Sequence, residues 1–394
     1  MSKGKNKIFT LGLVCVAAFS AGATTPMEVL EQVVNSTQLE NLREQNKAAL
    51  ATEEAQNYLP GLEVDFEHLW HSARDTKWSL SVTQSFDWPG LYTTRRDLIA
   101  ANRAVNSLGE ESLRMELRVA AMKILVELSY NAQRIKLLDR ELESLMEIDK
   151  YLAEALEHRV VTILDKKKSA IEIVNVTIEK DKLLARQDEL LGELQQLAGF
   201  PLNLKDVNWI DLPPLQTLGE YETYLGEVDL DPSLRAETQR NEVARLEAET
   251  ARLSVLPKFG IGYRHDKEDI GHFDGFSMSV GLPTWGVTKQ KIAAQTALAT
   301  QNVQAENRKK LILARIENEY RSAQTLREHI KKLRANGVDG SYLILLGEAL
   351  KGGELTMMDY LREQIFYRTT SMTLLDLEEK YSLLLASLNR YRLK

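Results

Sequence analysis

Two periodicities divide this chain. Leu62, Val64 and Phe66 alternate with Glu63, Asp65 and Glu67, and Trp78, Leu80 and Val82 alternate with Ser79, Ser81 and Thr83, with Phe86 further along the same face. Phe259, Ile261 and Tyr263 alternate with Gly260, Gly262 and Arg264, and Phe276, Met278, Val280 and Leu282 with Ser277, Ser279 and Gly281. A period of two, with one apolar and one polar face, predicts two β-hairpins over residues 61–88 and 258–283. Strands of about 9 to 11 residues suit two uses: crossing an outer membrane as part of a barrel, or laying one face on the core of a small soluble sheet.

Elsewhere the period is helical. Residues 93–157 and 287–350 contain no proline and predict two rods, each on the order of 90 to 100 Å long, which no compact soluble domain accommodates. Their seams read as coiled-coil positions: Leu138, Leu142, Leu145, Leu152 and Leu156 in one, Ile312, Ile316, Ala323, Leu326, Ile330 and Leu333 in the other. Asp149 and Glu319 interrupt those seams. Shorter helices are predicted over 26–58, 165–198, 215–253 and 359–392, so each pair laid end to end approaches one rod in length.

The prolines mark the junctions. Thr25-Pro26-Met27-Glu28 offers a capping Thr, Pro at the first helical position and Glu three residues on, and Asp231-Pro232 opens a second helix in the same manner. Pro60, Pro89, Pro257 and Pro283 fall where helical spacing changes to alternation, because proline removes a donor and clashes with the preceding turn.

The pattern also occurs twice. Glu154-Ala155-Leu156 through Thr162 to Asp165 returns as Glu348-Ala349-Leu350 through Thr356 to Asp359, and Tyr58-Leu59-Pro60 as Val255-Leu256-Pro257. A duplication of this size implies one structural unit built twice. We divide the chain into a leader, 1–23; a first repeat, 24–214, running helix, hairpin, long helix, tip, return helix and a linker at 199–214; and a second repeat, 215–394, in the same order. Four strands cannot close a barrel, and open edges are not tolerated facing lipid, so a membrane reading requires several copies; three would supply twelve strands around an open channel.

Composition changes the picture at two points. Lys3, Lys5 and Lys7, an apolar run from Ile8 to Phe19, and Ala21-Gly22-Ala23 have the order of a secretory signal peptide. Cys15, the only cysteine, lies inside that run, so the mature chain carries no disulfide, thiolate metal site or cysteine nucleophile, unless Cys15 is retained as a lipidated first residue. Taking the three leader lysines from a formal charge of −7 leaves −10, which gives no support for nucleic-acid binding.

Asp231-Pro232-Ser233-Leu234-Arg235-Ala236, the helix running to Leu256-Pro257-Lys258-Phe259, the strand ending Val280-Gly281-Leu282-Pro283, and the Gly353-x-x-Thr356-x-x-Asp359 turn resemble the TolC-like outer membrane efflux proteins. The resemblance runs in order along nearly the whole mature chain, and Phe86-Asp87-Trp88-Pro89-Gly90 is similar to the branch that works with resistance-nodulation-division pumps, including heavy-metal exporters. It implies a mainly α chain with a small β part. Its long coiled-coil helices would form a periplasmic α-barrel, and its four strands would join a homotrimeric twelve-stranded barrel in outer membrane lipid. It also implies docking to a periplasmic adaptor (membrane fusion) protein and an inner-membrane pump.

Carried over by position, Asp359 falls where the family has an aspartate ring at the periplasmic constriction, with Asp165 its first-repeat equivalent. An acidic ring there selects against anions and binds cations, while a carboxylate at a helix N-terminus is also plain capping chemistry. Gly353, Thr356 and Thr162 sit at the tips the family uses for adaptor contact. Two departures stand out. Leu355 and Leu350 occupy the positions of the family's arginine and tyrosine latch, and Arg159 stands where the second tip has Gly353.

His68, His71, His265 and His272 cluster at the hairpin ends among Asp65, Glu67, Asp75, Asp266, Glu268, Asp269 and Asp274. Imidazole with carboxylate suits divalent metals, but no spacing there fits a closed structural site and polar loops in water have the same composition. No cofactor is implied, and nothing points to an enzyme, since no nucleophile, base or metal triad is discernible. The expected function is the outer membrane channel of a tripartite efflux system exporting small molecules or metal cations; the alternatives are an outer membrane conduit for type I protein secretion and, of another class, a soluble periplasmic coiled-coil adaptor or scaffold.

Overall fold

The computed structural model describes residues 25–70, 76–202, 204, 207–211, 215–268, 271–282, 287–336, 341–352 and 354–393. The leader with Cys15, and His71, Pro283 and Gly353, lie outside the described residues.

The architecture is mainly α with one small sheet. Helices α1 (Pro26–Val34) and α2 (Thr37–Gln56) lead into strands β1 (Glu63–Trp70) and β2 (Thr76–Phe86), then α3 (Pro89–Glu157) and α4 (Ile163–Ala198). After the linker come α5 (Tyr221–Gly226), α6 (Pro232–Leu253), β3 (Lys258–Glu268), β4 (Gly271–Gly281), α7 (Val287–Ala335), α8 (Ser341–Lys351) and α9 (Met357–Leu388). At 69 residues, α3 is one uninterrupted rod about 100 Å long.

The caps follow the residue types. Thr25 Oγ1 accepts from the Glu28 amide at 3.3 Å, with Pro26 at the first position. Asp231 accepts from the amides of Ser233 and Leu234 at 2.9 and 3.3 Å. Pro89 opens α3, and Pro257 immediately precedes β3.

Three expected helices are broken. The stretch 26–58 divides at Asn35 and Ser36: the Asn35 side-chain Nδ2 donates back to Glu31 O at 3.2 Å, its backbone amide turns to Gln32 O at 3.2 Å, and Ser36 takes the extended backbone that starts α2. The stretch from 215 is irregular up to Glu220, then a short helix and a 3-10 turn (Val228–Leu230), and continuous helix begins at Pro232, where the ring ends any preceding helix. The second rod stops at Ala335, where the Asn336 amide returns to Leu333 O at 3.2 Å ahead of the helix-poor sequence Gly337-Val338-Asp339-Gly340, and resumes as α8.

The four strands form one antiparallel sheet in the order β1-β2-β3-β4. Val64 faces Val82, Val82 faces Tyr263, and Tyr263 faces Phe276, so Val64, Phe66, Leu80, Val82, Ile261, Tyr263, Phe276 and Met278 share one face, while Leu69 and Phe273 lie on the other. The β2–β3 pairing, Phe86 to Phe259 through Trp78 to Lys267, joins the two hairpins. Asp87 ties this sheet to the helices: it accepts from Arg95 Nη1 and pairs with Lys258 Nζ, both at 3.1 Å.

Among the described residues three apolar clusters hold the helices. Val29, Leu30 and Val33 of α1 pack with Leu125 and Leu128 of α3, Leu190 and Leu194 of α4, and Leu202, Val207 and Trp209 of the linker, so the linker lies against the middle of the rods. Gly199 makes that turn possible: its φ is +76°, and a Cβ there would stand 2.9 Å from Thr37 Cβ. Tyr224, Val228 and Leu234 meet Ile312, Ile316, Leu385 and Leu388 in a second cluster. The third, Leu138, Leu142, Leu145, Ile148, Leu152, Val176 and Leu361, is the coiled-coil seam above the tips.

Candidate functional site

The two tips are built alike from their capping residues. At the first, α3 ends with the Arg159 amide donating to Leu156 O at 3.0 Å and the Val160 amide to Ala155 O at 2.9 Å, the paired bonds of a Schellman turn. That turn needs a left-handed residue, and Arg159 supplies it at φ +56° despite its Cβ. At the second tip the Glu354 amide donates to Ala349 O at 2.9 Å, the same bond at the duplicated position. Gly353, which matches Arg159 in sequence, is outside the described residues.

Beyond each turn a threonine starts the return helix. Thr162 Oγ1 accepts from the Asp165 amide at 3.2 Å, while Asp165 Oδ2 accepts from the Thr162 amide at 3.1 Å and its hydroxyl at 2.7 Å, a reciprocal capping box. The hydroxyl and then the amide of Thr162 hold the Asp165 carboxyl below its ordinary range. Thr356 Oγ1 likewise accepts from the Asp359 amide at 3.2 Å and donates to Asp359 Oδ2 at 2.7 Å. Asp359 differs in its other oxygen, which accepts from Arg362 Nη1 at 3.1 Å. Both aspartates are half-buried and engaged within their own tip. Val160, Ile163 and Leu164 of the first tip are exposed, whereas Leu350 and Leu355 of the second are half-buried.

Above the tips, a buried ionic cluster missed at the sequence level ties the return helix of the second repeat to the first. Arg368 of α9 donates to Glu141 of α3 at 3.1 Å and pairs with Glu172 of α4 at 2.8 Å. Burial pushes the Glu141 carboxyl up to about 7 although the guanidinium opposes it, and the Glu172 and Glu179 carboxylates add to the rise. Lys166 of α4 reaches Asp149 of α3 at 2.5 Å, which gives the seam-breaking carboxylate its partner. Glu319 accepts from Ser387 Oγ at 2.7 Å.

His68, His265 and His272 lie in the hairpin strands, His68 near the end of β1 and His272 at the start of β4. His68 lies at a tilt against Trp70 (ring centroids 5.4 Å apart, planes 45° from parallel), His265 Nδ1 contacts Asp274 Oδ1 at 2.7 Å, and the His265 and His272 rings are 6.0 Å apart. By register these three histidines occupy the apolar face, while Asp65, Glu67, Asp266 and Glu268 occupy the other. Among the described residues no group of three or more His, Cys, Asp or Glu is placed to hold a metal ion.

No family model matches this sequence, and no curated protein matches it. Solved structures do. The chain superimposes on the outer membrane protein VceC of Vibrio cholerae with a TM-score of 0.71 at 15% identity, covering 93% of this chain and 95% of that one. For the Campylobacter jejuni CmeC outer membrane channel the values are 0.70 and 14%, covering 93% and 84%. For the open state of the Neisseria gonorrhoeae MtrE outer membrane channel they are 0.72 and 13%, covering 93% and 88%. The class defined is one of fold: a helical body of long coiled-coil rods carrying a small antiparallel sheet. More particularly, it is the fold of the TolC-like outer membrane channels.

Proposed function

We propose that this chain is the outer membrane channel component of a tripartite efflux system. As a homotrimer it would close a twelve-stranded barrel in outer membrane lipid and continue as a helical duct through the periplasm. An inner-membrane pump and a periplasmic adaptor protein would deliver small molecules or metal cations to it.

The sheet is the observation that carries this reading. Phe276 and Met278 are 88% and 85% exposed, with Val64, Phe66, Ile261 and Val280 on the same uncovered face. A soluble scaffold would bury such a face, since apolar patches of this kind mark interaction or membrane surfaces. Among the described residues no helix is long and apolar enough to cross a membrane, so the strands are the spanning elements of this proposal. Among the described residues only β1 and β4 have an unpaired edge, and pairing β1 of one copy with β4 of the next, three times over, removes every edge from lipid.

On this reading residues 24–214 and 215–394 are the two repeats of the duct wall. Asp359 and Asp165 line its periplasmic constriction; Thr162, Arg159, Thr356 and Gly353 present the tips to the adaptor. The different fittings of the tips support distinct jobs: a full capping box and exposed Val160 on one, an Arg362-paired aspartate on the other.

Gene deletion tests the proposal, combined with fractionation and with growth under metals, detergents and drugs. Recovery in the outer membrane as a detergent-extracted trimer, with sensitisation on deletion, is the expected result. Unchanged resistance with lost secreted proteins would move the chain to type I secretion, and a soluble periplasmic product would make it a scaffold.

A further inference from the structure

Where α3, α6, α7 and the chain end beyond α9 meet, the helices flank a half-open cavity of about 310 Å³ with a cationic lining. Lys123 reaches it from α3, Arg308 and Arg315 from α7, and Arg390 from the turn after α9. The carboxylates on its wall are Glu116 and Asp231. Asp231 is already occupied: it accepts from the Ser233 and Leu234 amides, the Ser233 hydroxyl and, at 2.8 Å, the Tyr391 hydroxyl. Burial alone would raise its pKa, yet those bonds hold it below the ordinary range, so it remains an anion already committed to its own partners. Glu116 has a contact from Ser112 Oγ at 3.5 Å.

The cations are less well served. Arg315 buries its Nε and Nη2 with no hydrogen-bond partner, and charged donors are seldom left so in a folded protein. Arg390 donates from Nε to its own helix end, Ser387 O, at 3.1 Å. Burial, then the neighbouring Arg315 guanidinium, draws its pKa down, and an anion between the two would relieve both effects. Arg308, on the exposed side, donates to Ser233 Oγ at 3.2 and 3.0 Å.

We propose that this cavity binds a small phosphate-class oxyanion, held by Arg315 and Arg390 with Arg308 and Lys123 adding charge. Guanidinium forks match the acceptor geometry of such an ion, and the cavity has room for it with attendant water. Bound there, it would join α7 and the end of α9 to α3 and α6 at mid-height of the wall. The competing arrangement turns Arg315 toward Glu319, one helical turn along, whose Oε2 is also buried without a partner.

The test is thermal unfolding of the full-length protein in detergent, titrated with inorganic phosphate against sodium chloride of equal ionic strength. A specific ligand raises Tm with its concentration, and Arg315→Gln and Arg308→Gln are each expected to weaken the apparent Kd about tenfold. Arg308→Gln alters an exposed side chain, so it keeps the test decisive if Arg315→Gln fails to fold. Glycerol 3-phosphate run in parallel identifies the source: a larger shift than that of phosphate assigns a phosphomonoester, a smaller one the free ion. No phosphate-specific shift, or an equal shift in Arg308→Gln, overturns the site and leaves Arg315 paired with Glu319.

Discussion

Arg159 holds a conformation that glycine adopts freely. Its left-handed φ closes the turn after α3, and a side chain bearing a Cβ costs about 1 kcal/mol there relative to glycine. Arg159→Gly is therefore expected to stabilise the protein by about 1 kcal/mol, read as a higher unfolding midpoint; a lower midpoint would mean that the guanidinium makes a compensating contact. Retaining arginine at such a position fits a tip whose side chains meet a partner, as proposed above. The Asp165 cap has the opposite pH sign to a buried acid. Its lowered pKa gives a contribution present above the unfolded carboxyl range and lost as pH falls through the folded value.

At the scale of elements, Glu141 makes α3, α4 and α9 sensitive to pH. Its carboxyl is raised from 4.5 to about 7, so between those values the folded chain holds a proton that the unfolded chain has released. Stability from this group is then highest at the acid side and falls as pH rises through that window, by up to about 3 kcal/mol. Glu141→Gln should flatten the dependence, measured as denaturation midpoints at about pH 5 and pH 7.5; an unchanged slope would place the titration elsewhere. The sequence made some elements legible and hid others for physical reasons. Val64, Phe66, Leu80 and Val82 announce strands because every second residue meets the same surroundings, and Thr162 with Asp165 announces a helix start because capping acts over three residues. The Glu141–Arg368 contact joins positions 227 residues apart, and no local pattern encodes it. The helix break at Asn35 and Ser36 was visible in residue type, but the apolar spacing on either side, with Val33 and Leu39 both buried, hid it. The His265–Asp274 contact depends on cross-strand register, so the sequence could place those histidines at the hairpin ends but could not pair them.

For the whole molecule, the two faces of the sheet make different demands. On the channel reading Met278 points into lipid, so Met278→Arg is expected to cost about 2 to 4 kcal/mol per chain near mid-bilayer. The yield of folded trimer in outer membrane extracts should fall sharply. Ser81→Arg, on the polar face beside Asp65, should leave that yield nearly unchanged. Equal losses in both variants would count against one face being lipid-exposed.

The unpaired edges of β1 and β4 have a consequence for inheritance. If each barrel is closed only by neighbouring copies, a chain with a damaged edge spoils every assembly it joins. In a cell making normal and damaged chains equally, about one trimer in eight would contain normal chains alone. An edge mutation would therefore act dominantly, and a second intact gene would restore little.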